Sequence, residues 1–339
     1  MSNLELSGNR RAFIAAALTA GAAGALPVKV RAAEAEAAPI PGREGLKVRV
    51  TPYFKGGWTM YMFANRGTSQ MLSTLFVSPS AKVVMIDGGM PDDAAFLYAT
   101  LQALGGTVDT WFLTHAHSDH YGALGEIIKK PACGGLKIGR VVYSFPPLEF
   151  IAETEKASIP YVTPFLENLA RSGLRVEKPT VGGVFDFGES LTFECLNDYD
   201  LSMRVNSINN AGICYRVMNG GSSILVTGDI GVEQGDKLLK MHPPEKIKSD
   251  IVFLSHHGQC GANKNFYEVA KPEVCVWPTP QWLWDNNISG KGYGSGKGPS
   301  PGVTPGSGAS HGGQGAPQAL AANDRPALAY GSIVTPATS

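Results

Sequence analysis

Four short apolar runs in this chain end on residues that ionise or bind metal, and that pattern limits the available folds more than any other feature. Val83-Val84-Met85-Ile86 ends on Asp87. The run Val108-Asp109-Thr110-Trp111-Phe112-Leu113 leads into Thr114-His115-Ala116-His117-Ser118-Asp119-His120. Ile224-Leu225-Val226-Thr227-Gly228 ends on Asp229, and Ile251-Val252-Phe253-Leu254-Ser255 ends on His256-His257. Such short apolar stretches read as buried strands. If their ends lie along one edge of a sheet structure, imidazoles and carboxylates converge there. Of the 7 histidines, three fall in the stretch 115–120. Nitrogen and carboxylate donors suit zinc, manganese or iron(II) rather than calcium or magnesium.

The remaining pattern is strand-dominated with interspersed helices. Met71–Val77 and Lys82–Ile86 flank Ser78-Pro79-Ser80-Ala81 and predict a hairpin. Residues 92–104 have helical spacing, with Asp92 as cap and Gly105-Gly106 as stop. Strands are expected at Leu46–Tyr53, 108–113, Arg140–Tyr143, Leu191–Leu196, Ile213–Val217, Ser223–Thr227, Asp250–Leu254 and Glu273–Trp277. Helices are expected after Tyr121, over 148–171 with interruptions at Pro160 and Pro164, over Val232–Lys240 and over Asn263–Ala270. Two sheets covered by helices fit this order best. Trp277 ends the last strand, and Trp282 and Trp284 follow it; they either wall a cleft or pack in the core, and Tyr121 beside the histidines has the same two fates.

Charge balances at 29 basic and 29 acidic residues, which excludes an electrostatic funnel for nucleic acid or an anionic membrane surface. The 5 cysteines are far apart, with no CxxC pair, and read as small buried residues. At the N-terminus, Asn9-Arg10-Arg11-Ala12-Phe13-Ile14 precedes the uncharged stretch Ala15–Leu26 and the small-residue region 32–38. This order is that of an export signal, too short to span a bilayer, and the paired arginines resemble a bacterial twin-arginine signal. The expected organisation is therefore an export signal at 1–38, a linker at 39–45, a catalytic domain at 46–289 and a tail at 290–339. Gly290 to Gly315 is Gly, Ser and Pro with almost no apolar residues, so the tail is expected to be disordered, with no regular element through Ser339. A frameshift that replaced a C-terminal helix and strand is the second reading of that tail.

The motif HxHxDH at 115–120, with the strand-terminal Asp229, the strand-terminal His256 and the supporting Asp87, resembles the metallo-β-lactamase superfamily over roughly residues 46–280. The resemblance implies an αββα sandwich of two mixed sheets flanked by helices, with two divalent metal ions at one edge, zinc as first choice and manganese as second. It implies that His115 and His117 hold the first ion. Asp119, His120 and His256 would hold the second, Asp229 would bridge the two, and Asp87 would brace the histidine loop. His257 is left beside the site, open to exchanging roles with His256. One departure stands out: no histidine occurs between His120 and Asp229, where the family places a further ligand to the first ion. Asn209-Asn210 occupies that stretch, as a turn or as part of the site. With Thr-Gly-Asp and His-His-Gly, it looks like the branch containing the metallo-β-lactamase-like domain of bacterial DNA-uptake channel proteins, which is associated with phosphodiester hydrolysis.

The chemistry that follows is hydrolysis by a water activated between two cations. Asp119 would orient that water and take its proton, and His257 would protonate the leaving group. The expectation is a periplasmic or secreted phosphodiesterase acting on a small-molecule or cell-envelope substrate. Its partner in export would be the twin-arginine machinery, with no strong nucleic-acid binding and no stable membrane anchor. A lactonase, thioesterase or β-lactamase on the same fold is the alternative, and a non-catalytic metal-binding module is the third reading.

Overall fold

Strands buried on both faces need an apolar residue at nearly every position, because successive side chains point to opposite sides. The computed structural model shows this in both sheets. It describes residues 57–63, 65, 66, 69–259, 261–280 and 283, with the backbone of two short segments at 327–329 and 333–334. The expected export signal, the linker, the strand at 46–53 and most of the tail lie outside the described residues.

The first sheet contains β1 (Thr59–Met62), β2 (Ser73–Val77) and β3 (Val83–Asp87) as an antiparallel meander. A ribbon of β4 (Thr107–Val108) and β6 (Lys137–Ile138) lies to the side. The sheet continues in parallel through β5 (Thr110–Phe112), β7 (Val141–Val142) and β8 (Val176–Glu177). The second sheet runs antiparallel through β9 (Val184–Gly188), β10 (Leu191–Cys195), β11 (Tyr215–Asn219) and β12 (Ser222–Val226). It then turns parallel through β13 (Ile251–Phe253) and β14 (Val274–Val276). Both sheets are thus mixed.

The tail corrects the expectation that no regular element lies beyond residue 289. Its strands β15 (Ala327–Ala329) and β16 (Ile333–Val334) pair with β14 and β1, one on each sheet. Edge strands of this length are held by main-chain hydrogen bonds, which leave little trace in side-chain pattern.

Alternation along the strands builds three apolar layers. Phe76, Val84, Ile86 and Phe112 from the first sheet meet Phe193, Tyr215, Ile224 and Phe253 from the second in one core between the sheets. Leu75, Met85 and Trp111 point the other way, onto the layer that includes Leu97, Leu101, Leu124 and Phe165. Leu225, Val252 and Cys275 do the same on the outer face of the second sheet, against Leu238 and Phe266. The covering helices are α1 (Ala94–Ala103), α2 (Ser118–Ile128), α3 (Leu148–Thr154) and α4 (Ile159–Arg171) on the first sheet's side. They are followed by α5 (Ser207–Asn210), α6 (Val232–Met241), α7 (Pro244–Ile247) and α8 (Lys264–Ala270). Among the described cysteines, Cys133, Cys195, Cys214 and Cys275 are free and buried.

Two local expectations are corrected. The break in the 148–171 segment falls at Glu155–Ser158, not at the prolines. Pro160 occupies the first turn of α4, where its missing N–H is no loss, and α4 runs on through Pro164. Asp93, not Asp92, takes the position before α1, and its carboxylate accepts from the backbone N–H of Met90 at 2.9 Å and of Arg66 at 2.6 Å.

The two sheets are locked by Phe112. Its ring stacks on Phe193 with centroids 4.8 Å apart and meets Phe185 and Tyr215 edge-on at 5.1 and 5.0 Å. We predict that Phe112→Ala lowers the unfolding free energy by about 3–5 kcal/mol, as for other buried aromatics. Denaturant unfolding checks this, and a loss below about 1 kcal/mol would show that the layer repacks around the gap.

Candidate metal centre

The strand pairs β3–β5 and β12–β13 are parallel, so within each pair the C-terminal ends fall together. Donors at four separate places in the sequence therefore meet at one edge of the sandwich, the position where sheets with parallel strands usually bind ligands. The tips are tied together: Ile213 N donates across the sheets to Thr114 O at 2.9 Å, and His256 N donates within the second sheet to Gly228 O at 3.1 Å.

Asp87 anchors the histidine loop. Fully buried and at φ 54°, it accepts from Thr114 N at 2.8 Å, Thr114 Oγ1 at 2.7 Å and His120 Nδ1 at 2.8 Å. Burial raises its pKa above the ordinary carboxylate value, against the opposing pull of His120 and Thr114.

A common arrangement holds the four imidazoles that face the site. Each has one nitrogen against an oxygen acceptor, which leaves the other nitrogen turned inward. His120 Nδ1 donates to Asp87, and His257 Nδ1 to the carbonyl of Pro278 at 2.6 Å. His117 Nε2 donates to Glu155 Oε1 at 2.6 Å, and His115 Nδ1 lies 3.1 Å from Thr114 Oγ1.

The inward nitrogens fall into two neighbouring groups. His115 Nε2 and His117 Nδ1 are 3.1 Å apart, and Asp229 Oδ2 lies 3.9 Å from His115 Nε2. The same Asp229 oxygen is 3.3 Å from both His120 Nε2 and His257 Nε2. Asp119 Oδ2 completes the second group at 3.1 Å from His257 Nε2 and 3.8 Å from His120 Nε2. Donor atoms of Asp119, His120, Asp229 and His257 all lie within 4.8 Å of one another, and all four residues are buried.

The structure corrects one expected position. His257, not His256, faces Asp119, His120 and Asp229. Both histidines adopt left-handed backbone, each with φ 52°, which is costly for a residue with a Cβ. The bend is held from behind, where Trp277 Nε1 donates to His257 O at 2.6 Å. At Gly258 (φ +79°) a Cβ would come within 2.4 Å of the same indole nitrogen, so only glycine fits. The turn swings His257 into the cluster. His256 instead meets Asn209, whose Nδ2 lies 3.2 Å from its Nε2. Asn210 is structural: its Oδ1 accepts from Gly231 N at 2.8 Å, and its Nδ2 donates to Val205 O at 2.9 Å. Trp277 packs in the core, and Tyr121 stacks on Phe165 with centroids 4.3 Å apart, so neither forms the wall of a cleft.

The donor set fits divalent cations. His120 Nε2 and Asp229 Oδ1 are both buried without a hydrogen-bond partner, an arrangement proteins rarely keep without a purpose. Charge tells the same story. Burial works against ionisation of Asp229 and Asp119, yet His120 and His257 hold both carboxyls well below the usual carboxylate range. Burial likewise opposes a charge on His120 and His257, but the surrounding carboxylates overcome it, and His257 is pushed up to about 10. His115 moves the other way, lowered by burial and by His120. Glu155 was not singled out in the sequence, because one glutamate in a helical stretch carries no signal.

Residues 67–249, more than half of the chain, match the family model of the metallo-beta-lactamase superfamily. Among solved structures, the chain is similar to the metallo-beta-lactamase fold protein YhfI from Bacillus subtilis. The two are 13% identical over 68% of this chain and 90% of that one, with a TM-score of 0.44. A diphosphatase from the PhnP family is 14% identical over 70% and 92% of the two chains, with a TM-score of 0.39. Zn(2+)-bound PqqB from Methylobacterium extorquens is 12% identical over 58% and 72%, with a TM-score of 0.35. No curated protein matches the chain in sequence.

This geometry predicts that His257→Ala lowers the bound metal while His256→Ala keeps the wild-type content, as read by elemental analysis of dialysed protein. Because His120 and His257 have raised pKa values, cations must displace their protons, so apparent metal affinity should rise with pH and weaken as pH falls. Equal metal loss in the two variants, or pH-independent affinity between pH 6 and 9 on the order expected for histidine sites, would contradict this assignment.

Proposed function

The chain belongs to the metallo-beta-lactamase superfamily of metal-dependent hydrolases, and we propose that it is an exported dinuclear phosphodiesterase. The observation that carries the dinuclear reading is the sharing of Asp229 between two donor groups. His115 and His117 would hold one ion, Asp119, His120 and His257 the other, and Asp229 would lie between them. Zinc is the first choice for this set, with manganese second. A bound cation pair supplies Lewis acidity, lowering the pKa of water and neutralising charge that develops on the scissile group.

The protein's own part is to hold these groups in place. Asp87 fixes the tautomer and direction of His120, and the Pro278 carbonyl does so for His257. Asp119, the more accessible carboxylate at 11% side-chain exposure against 2% for Asp229, would orient water and accept its proton. His257, expected from sequence to protonate the leaving group, is assigned here as a ligand because its free nitrogen faces both carboxylates.

Two features support a phosphodiester substrate. The stretch where the family's further histidine would fall carries Asn209, so the first ion has fewer imidazole donors. Fewer nitrogen donors suit harder cations and phosphoryl oxygens better than a fully nitrogenous set. This Asn, with Thr227-Gly228-Asp229 and His256-His257-Gly258, also supports kinship with the branch that resembles the DNA-uptake channel domain. The balanced charge of the chain favours a small or cell-envelope phosphodiester over long nucleic acid, whose binding needs clustered cations.

The test is turnover of a chromogenic phosphodiester beside lactone, thioester and lactam panels. We expect phosphodiester turnover that is removed by chelation and drops at least about 100-fold in His117→Ala, in line with losing a ligand or its support. Turnover of lactones, thioesters or lactams alone would move the protein to the alternative chemistry, and metal binding without any turnover would make it a binding module. Export is tested separately. Replacing Arg10 and Arg11 together by lysine should leave unprocessed protein in the cytoplasm, and unchanged export would remove the twin-arginine reading.

A further inference from the structure

We propose that Glu155 is the positioning residue for the first ion's histidines and supplies part of the support that a third imidazole would give; the inference rests on the dinuclear reading above. Glu155 sits in the break between α3 and α4, at φ −149° and ψ 58°. Its Oε1 accepts from His117 Nε2 at 2.6 Å and from Ser158 Oγ at 3.0 Å, and its carboxylate also accepts from the backbone N–H of Ile208. One side chain therefore joins the histidine loop, the α3–α4 break and α5, the short helix that carries Asn209. A second link between the same helices runs from Ser207 Oγ to Thr154 Oγ1 at 2.8 Å.

The consequence lies in which nitrogen of His117 is free. With Nε2–H given to a carboxylate, the lone pair sits on Nδ1, the atom that faces His115 Nε2 at 3.1 Å. A carboxylate behind an imidazole also makes it a better donor than a neutral acceptor does. His115 has only the hydroxyl of Thr114 behind it, and His257 has a carbonyl. The two groups are thus built alike: Asp87 backs His120 in one, and Glu155 backs His117 in the other. Without Glu155, His117 would be a weaker donor with no carboxylate behind its Nε2, on a side chain that is 22% exposed.

The experiment is metal titration of the full-length protein, with zinc in competition with a chromogenic chelator and with cobalt(II) followed by its visible absorption. Wild-type protein should bind two ions. Glu155→Ala should weaken one of them by about 10–100-fold, the usual cost of removing such a backing group, and change the cobalt absorption of that ion only. Glu155→Gln keeps an acceptor oxygen without the charge and should fall between wild type and Glu155→Ala. If Glu155→Ala does not fold, Glu155→Gln decides: weakening confined to one ion supports the proposal, and wild-type affinity overturns it. Equal weakening of both ions in a folded variant also overturns it, because a general structural defect would do that. Wild-type protein that binds fewer than two ions would instead overturn the dinuclear reading itself.

Discussion

The carboxylate of Asp87 holds the centre of this structure together. It is buried at the end of β3 and saturated by three donors, two from Thr114 and one from His120. Through Thr114 it determines where β5 ends and the histidine loop begins. Through His120 it determines which imidazole nitrogen remains free. A buried carboxylate is tolerable only when its oxygens are fully engaged, so the loop cannot drift without exposing an unmet charge. Thr114 also reaches the second sheet through Ile213, so one anchored residue aligns both halves of the site.

What surrounds that anchor is rigid for a related reason. The inner core between the sheets is built largely of aromatic and branched residues, and the inward nitrogens rest on groups that this core immobilises: a strand-terminal aspartate, a carbonyl behind Trp277, a threonine. Glu155 is the exception. It hangs from a helix break rather than from a sheet, with its side chain 31% exposed. One member of the first donor pair, His117, is thus supported from a covering layer, while His115 and the second group rest on the sheets, and this asymmetry gives the two positions different expected affinities.

Much of the fold was legible in the sequence. The run 223–227 and the run 250–254 contain apolar residues without alternation, as parallel strands covered on both sides require, and the hairpin around Ser78-Pro79 paired as its spacing implied. Short elements escaped: β8, α5 and α7 have too few residues to show a period. The two strands at 327–329 and 333–334 were hidden by their surroundings, since edge pairing uses the backbone, which every sequence shares.

Sequence alone determined the chemistry on offer: imidazoles and carboxylates at the ends of apolar runs, with no histidine between His120 and Asp229. It could do so because strand ends are set by local pattern and ligand type by side-chain identity. Only the tertiary structure decided which of two adjacent histidines enters the cluster. That choice depends on a left-handed turn pinned by Trp277 and Gly258, and adjacent residues in such a turn point in different directions. It also decided that Glu155 stands behind His117, because that contact joins residues 38 positions apart, and no local rule of spacing links a helix break to a strand tip.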